Sequence, residues 1–144
     1  MLVVLSTSGF QGISRLKYDV IIVGAGPAGI FYALELTEKT KLSVLMLDRG
    51  QDINQRKCPE SRGYECVNCD PCTVLSGWGG AGAFSDGKLT LSTEVGGWLS
   101  QYVSQSELQE LVNYSDSVYL RFGATEHTYG EGVERIEEIE RRAS

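Results

Sequence analysis

The chain has 144 residues, ordinary apolar (42%) and charged (22%) fractions and a formal charge of −6. That length suits one domain with a core, and the acidic balance, with no basic stripe, excludes a nucleic-acid surface. No run approaches the ~20 apolar residues of a membrane span, and Met1-Leu2-Val3-Val4-Leu5 lacks the basic lead of a signal sequence, so a cytoplasmic protein is expected.

Residues 1–16 read as a disordered extension. The first ordered element is expected from Tyr18 to Val23, where Val20-Ile21-Ile22-Val23 suits a parallel strand buried on both faces. A helix is predicted from about Gly26-Pro27, with proline at the first turn, where a missing N–H costs nothing. Ile30, Ala33, Leu34 and Thr37 give that helix one packing face. Thr40-Lys41 turns the chain, and Leu42 to Leu47 reads as a second strand, completing a βαβ unit. Residues 50–95 follow neither period and are rich in Gly, Cys, Asp and Asn; so long an aperiodic loop marks function. Arg56, Lys57 and Arg62 within it read as solvated charges.

Beyond Gly97 the pattern turns helical. Leu108, Leu111, Val112, Ser115, Tyr119 and Phe122 share a face, Ser106 with Gln109 fits a capping box, and Gly123 is a stop. A last helix is expected from about Gly132, carrying Val133, Ile136 and Ile139. Its i, i+4 pairs would be Glu131–Arg135, Glu137–Arg141 and Glu138–Arg142. The expected domains are therefore the extension at 1–16, a nucleotide-binding part at 17–96 and a helical segment at 97–144.

Gly24-Ala25-Gly26-Pro27-Ala28-Gly29 is G-x-G-x-x-G, entered from a buried strand and left by a helix. Gly24 permits the tight turn, Gly26 lets a pyrophosphate approach the backbone, and Gly29 lets the helix lie close to the sheet. The helix N-terminus offers unpaired N–H groups and partial positive charge to the phosphates. Asp48 ends the second strand about twenty residues on, where a carboxylate can accept from ribose hydroxyls. The expected fold class is α/β: a Rossmann-like FAD/NAD(P)-binding βαβ unit, incomplete, followed by a Gly/Cys-rich loop and C-terminal helices. An aspartate argues against NADP, whose 2′-phosphate it would repel.

Cys58, Cys66, Cys69 and Cys72 read C-x7-C-x2-C-x2-C. This spacing suits an iron–sulfur cluster or zinc, Cys66-Val67-Asn68-Cys69 could be a redox pair, and packing thiols are the third reading. No metal ligand is assigned. Gly77-Trp78-Gly79-Gly80-Ala81-Gly82-Ala83-Phe84-Ser85-Asp86-Gly87-Lys88 is a second loop whose small residues let backbone approach a flat ring. His127, the only histidine, reads as a surface residue rather than a catalyst.

Together, the Tyr18–Gly29 stretch, Asp48-Arg49-Gly50, the Cys58–Cys72 cluster and Gly77 to Lys88 followed by Leu89-Thr90-Leu91-Ser92 resemble the uncharacterised FAD-dependent dehydrogenases. These are larger, bacterial-type NAD(P)/FAD-dependent oxidoreductases. The resemblance runs from about Lys17 to the end, including Val95-Gly96-Gly97 and Tyr119-Leu120-Arg121-Phe122-Gly123-Ala124. It implies FAD as cofactor, with Gly24, Gly26 and Gly29 at the pyrophosphate and Ala25, Pro27 and Ala28 also among the cofactor-binding residues. Asp48 would serve the ribose, Gly79, Gly80, Ala81 and Gly82 the flavin region, and Arg49 is a further cofactor-binding residue. NAD(P)H is the candidate electron donor; substrate and catalytic residues stay unassigned. The chain is expected to be the N-terminal portion of such an oxidoreductase. The alternatives are a cysteine-ligated iron–sulfur or zinc module and a non-catalytic nucleotide-binding remnant.

Overall fold

Three parallel strands and one helix organise the first half of the chain. The computed structural model describes residues 2–6, 17–128 and 138–142. Strand β1 is Leu2–Ser6, β2 is Val20–Val23, helix α1 is Pro27–Lys39 and β3 is Val44–Asp48. The sheet order is β1-β3-β2, with Val20 to Val23 in register beside Val44 to Leu47, and Leu2 to Ser6 beside Val44 to Asp48. Neighbouring parallel strands β2 and β3 are joined through α1, so the predicted βαβ unit is present. The architecture is mixed α/β around a small parallel sheet.

Leu2–Ser6 corrects the expectation of a disordered extension over 1–16. Its apolar run is strand-forming and pairs with the free edge of β3, which leaves β3 central. Residues 7–16 lie outside the described residues.

Each element has a local cause. Four β-branched residues make β2. Pro27 opens α1, and the helix ends where Thr40 turns extended while its N–H still donates to the Leu36 carbonyl. Asp19 ties the entries of β2 and β3 together. Its carboxylate accepts from the Ser43 N–H (2.8 Å) and Ser43 hydroxyl (2.7 Å), and its own N–H donates to the Ser43 carbonyl (3.0 Å). The two Ser43 bonds hold the Asp19 carboxyl below the usual carboxylate range.

The core is Ile22, Ala25, Ala33, Val44 and Met46, with Val20, Leu36 and Trp78 packed around it. Here the strand expectation needs a second correction. β2 is not buried on both faces, because Ile21 is 59% and Val23 84% exposed. Pleating sends them away from Ile22, and α1 covers only the Ile22 side.

The chain divides into two compact units at Gly87/Lys88, earlier than the expected boundary at 96/97. In the second unit a short 3-10 turn, Leu99–Gln101, precedes helix α2, Gln105–Arg121. Its capping box is Ser104 with Glu107, not Ser106 with Gln109. The stop at Gly123 is as expected: its φ is +96° and its N–H donates to the Leu120 carbonyl. Residues 138–142 are helical, and Arg142 pairs with Glu138 at 3.7 Å. The earlier part of that predicted helix, with Val133 and Ile136, and the pairs involving Glu131 and Glu137, lie outside the described residues. No helix among the described residues is long and apolar enough to cross a membrane.

Candidate functional site

The chain leaves β2 through Gly24, whose φ of +107° a side chain would oppose and whose N–H donates to the Leu47 carbonyl at 2.7 Å. It enters α1 at Gly26, which is extended and offers no side-chain cap. The first-turn N–H groups of Ala28 and Gly29 therefore have no intrahelical partner and face outward with the positive end of the helix dipole. A Cβ on Gly26 would meet nothing within 4 Å, so the space in front of this backbone is open. A Cβ on Gly29 would lie 2.1 Å from the Gly24 carbonyl oxygen. Close packing of helix against strand end thus demands glycine there.

Asp48 stands at the end of β3, half-buried beside this loop. One carboxylate oxygen accepts from the Ala25 N–H and the other from the Gly50 N–H, both at 2.8 Å. Carboxylate oxygens carry two lone pairs each, so both can accept again. The side chain expected at a ribose is thus also the clamp that fixes the glycine turn. Arg49, its neighbour in the predicted site, forms an exposed ion pair with Asp70. Such a pair contributes little to stability.

The second glycine loop folds onto the first. The Gly79 N–H donates to the Ala25 carbonyl at 2.8 Å. A Cβ on Gly80, whose φ is +56°, would press to 3.1 Å from the Gly26 Cα, and one on Gly82 would touch Pro27. Gly80 is buried, while Ala81 and Gly82 are exposed beside the mouth of α1. The structure therefore brings Gly24 to Gly29, Asp48 and Gly79 to Gly82 into one cluster.

Arg56 corrects its reading as a solvated charge: it is only 5% exposed. Its Nε donates to the Thr73 carbonyl (2.8 Å), Nη1 to Trp78 (2.6 Å) and Nη2 to Val74 (2.6 Å). The guanidinium also lies over the Phe84 ring, 4.7 Å from its centre. Each charge-assisted bond is worth about 1.5–3 kcal/mol. The sequence carries one indirect signal for this, two aromatic residues in a glycine-rich loop. Gly50 and Gly77 are a second feature that spacing does not reveal. A Cβ on Gly50 would lie 2.4 Å from the Gly77 N, and one on Gly77 would lie 2.4 Å from the Gln51 carbonyl oxygen.

The four thiols do not converge. Cys58 is buried, Cys66 and Cys69 are exposed, Cys72 is half-buried, and none is joined in a disulfide. Among the described residues no group of three or more His, Cys, Asp or Glu is placed to hold a metal ion. His127 is exposed, with its N–H on the Thr125 hydroxyl (3.1 Å). In the second unit, Leu89, Val95, Leu99, Leu108, Leu111 and Val112 help line an open groove of about 230 Å³ that carries no titratable group.

Comparison with known proteins gives partial matches. Over 99 residues, 64% of this chain, it is 34% identical to the digeranylgeranylglycerophospholipid reductase of Methanosarcina mazei, matching 24% of that protein. That relative is a reductase by name. Over 81 residues, 56% of this chain, it is 39% identical to an uncharacterized protein of Clostridium beijerinckii, matching 15% of its length. Over 46 residues, 32% of the chain, it is 54% identical to an uncharacterized protein of Methanosarcina barkeri, matching 12%. The matched stretches are thus a quarter or less of each relative. No family model matches the chain, and no solved structure matches it significantly.

Proposed function

We propose that this chain is the FAD-binding N-terminal portion of a flavin-dependent oxidoreductase, built on a Rossmann-like βαβ unit. One observation carries the reading. A strand runs through Gly24 into an uncapped helix N-terminus, where Gly26 leaves open backbone and Asp48 closes the neighbouring strand. The arrangement fits the ADP half of a dinucleotide. The N–H groups of the first α1 turn would bind the pyrophosphate, and Gly26, lacking a Cβ, would let it approach. Asp48, with lone pairs left beyond the Ala25 and Gly50 bonds, would accept from the ribose hydroxyls. Gly79 to Gly82 would bring backbone up to the flavin side.

When bound, FAD supplies the uptake and release of hydride equivalents. The chain's own part is to bind and orient it. Similarity to a reductase over 64% of the chain supports the redox class. FAD rather than NAD rests on the family resemblance, with NAD(P)H as the proposed electron donor.

The test is a titration of the full chain with FAD, followed by flavin absorbance at about 450 nm and by calorimetry. Saturable binding is expected for the native chain, lost in Gly26→Val and weakened at least about tenfold in Asp48→Ala, which also loses the loop clamp. An absence of binding at roughly millimolar FAD, about −4 kcal/mol, overturns the reading.

A further inference from the structure

Arg56 sits far in sequence from Gly24–Gly29, the phosphate loop of the function proposed above, yet a chain of two peptide groups connects them. The Trp78 carbonyl accepts from Arg56 Nη1 at 2.6 Å, while the N–H of the same peptide, that of Gly79, donates to the Ala25 carbonyl at 2.8 Å. The Ala25 carbonyl belongs in turn to the peptide whose N–H is that of Gly26, at the mouth of α1. A cation on the first carbonyl polarises its peptide and strengthens the next donor; hydrogen bonds in series reinforce one another in this way. Burial of the guanidinium keeps water from screening it.

Geometry fixes the same link. Nε and Nη2 hold the Thr73 and Val74 carbonyls, and the ring of Phe84 lies against the guanidinium. One side chain thus ties Thr73 and Val74, ahead of the second glycine loop, to Trp78 and Phe84 within it. Gly77 is part of the fit, since a Cβ there would lie 2.9 Å from Arg56 Cδ. A planar fork reaches three carbonyls at once, which a lysine ammonium cannot do in this arrangement.

We propose that Arg56 is a positioning residue: it anchors the Gly77–Gly82 loop on the phosphate loop and, through the Trp78–Gly79 and Ala25–Gly26 peptides, sets the affinity for the dinucleotide. The affinity half rests on the FAD reading above; the anchoring half does not.

The test compares the full native chain with Arg56→Gln, Arg56→Lys and Phe84→Leu. Amide hydrogen exchange and the amide proton shifts of Gly26 and Gly79 are read without ligand, and FAD affinity separately. In Arg56→Gln the Gly79 amide is expected to exchange at least about tenfold faster, with both proton shifts moved upfield and the amides of α1 beyond its first turn still protected. FAD affinity falls by at least about tenfold, and Arg56→Lys recovers only part of it. Phe84→Leu, which keeps every hydrogen bond, gives a smaller change in the same direction and serves if Arg56→Gln does not fold. Exchange and shifts unchanged in all variants overturn the anchoring. Looser exchange with FAD affinity within about twofold of native overturns the control of affinity. A native chain that binds no FAD overturns the affinity half together with the FAD reading, and exchange at Gly79 then decides the anchoring by itself.

Discussion

Gly26 and Gly29 stand one helical turn apart and are glycine for opposite reasons. At Gly29 the protein itself occupies the space, because an added Cβ would lie 2.1 Å from the Gly24 carbonyl oxygen. At Gly26 the space is open and the φ of −77° suits any residue. Gly29→Ala is therefore expected to cost about 1–3 kcal/mol in urea unfolding, the usual range for overpacking. Gly26→Ala should stay within about 0.5 kcal/mol of native stability while FAD binding falls at least about tenfold. Equal stability losses in the two variants would mean that Gly26 is also chosen by packing. The motif was legible because its strand, turn, helix and acid lie in order along the chain. The clamp role of Asp48 and the burial of Arg56 were not. Apart from Gly50 beside Asp48, their partners are 17 to 23 residues distant, and charge alone places an arginine on the surface.

Helix α2 shows how one element resolves two nearly equal signals. Ser104 with Glu107 and Ser106 with Gln109 both fit the capping pattern, and the chain uses the first. Glu107 accepts from the Ser104 N–H at 2.9 Å and from its hydroxyl at 2.6 Å; a charged acceptor in the first turn also favours the helix dipole. These bonds hold the Glu107 carboxyl below its ordinary value of 4.5, first through the Ser104 hydroxyl and then through the backbone N–H. A lowered folded-state value stabilises above the unfolded value and is lost as pH falls through the folded one. Amide protection of the first α2 turn should thus be full at neutral pH and decline below pH 4.5. Glu107→Gln should flatten that decline, and Ser104→Ala should cost about 1 kcal/mol at neutral pH. Protection that stays constant through the acid range in the native chain would show that the box does not hold the helix end. Three elements were legible: α1 by its helical period, and β2 and β3 by apolar runs flanking the glycine turn and ending at Asp48, although β3 begins at Val44 rather than Leu42. β1 was missed because a short apolar run at a terminus has no adjoining turn or motif to mark it; only pairing with β3 makes it a strand.

At the scale of the molecule, the first unit carries an uneven sheet. Its core side is closed by α1 over Ile22, Val44 and Met46, whereas Ile21 and Val23 on β2 point outward. A continuous apolar run in a parallel strand usually signals burial on both faces, and that rule is what misplaced these two residues. The difference sets the energetics of the whole unit, since a small core concentrates stability in few side chains. Met46, with no exposed surface, should lose about 2–5 kcal/mol as Met46→Ala, from lost burial and the cavity left behind. Val23→Thr keeps the β-branched shape and adds a hydroxyl at a position 84% exposed, so its cost should stay within about 0.5 kcal/mol. Denaturant unfolding of the full chain, read by circular dichroism, compares the two directly. A loss from Val23→Thr comparable to that from Met46→Ala would mean that the outer face of β2 is covered in solution. Covering that face would turn Ile21 and Val23 into core residues, and the sheet would then meet the two-sided burial that its sequence advertises.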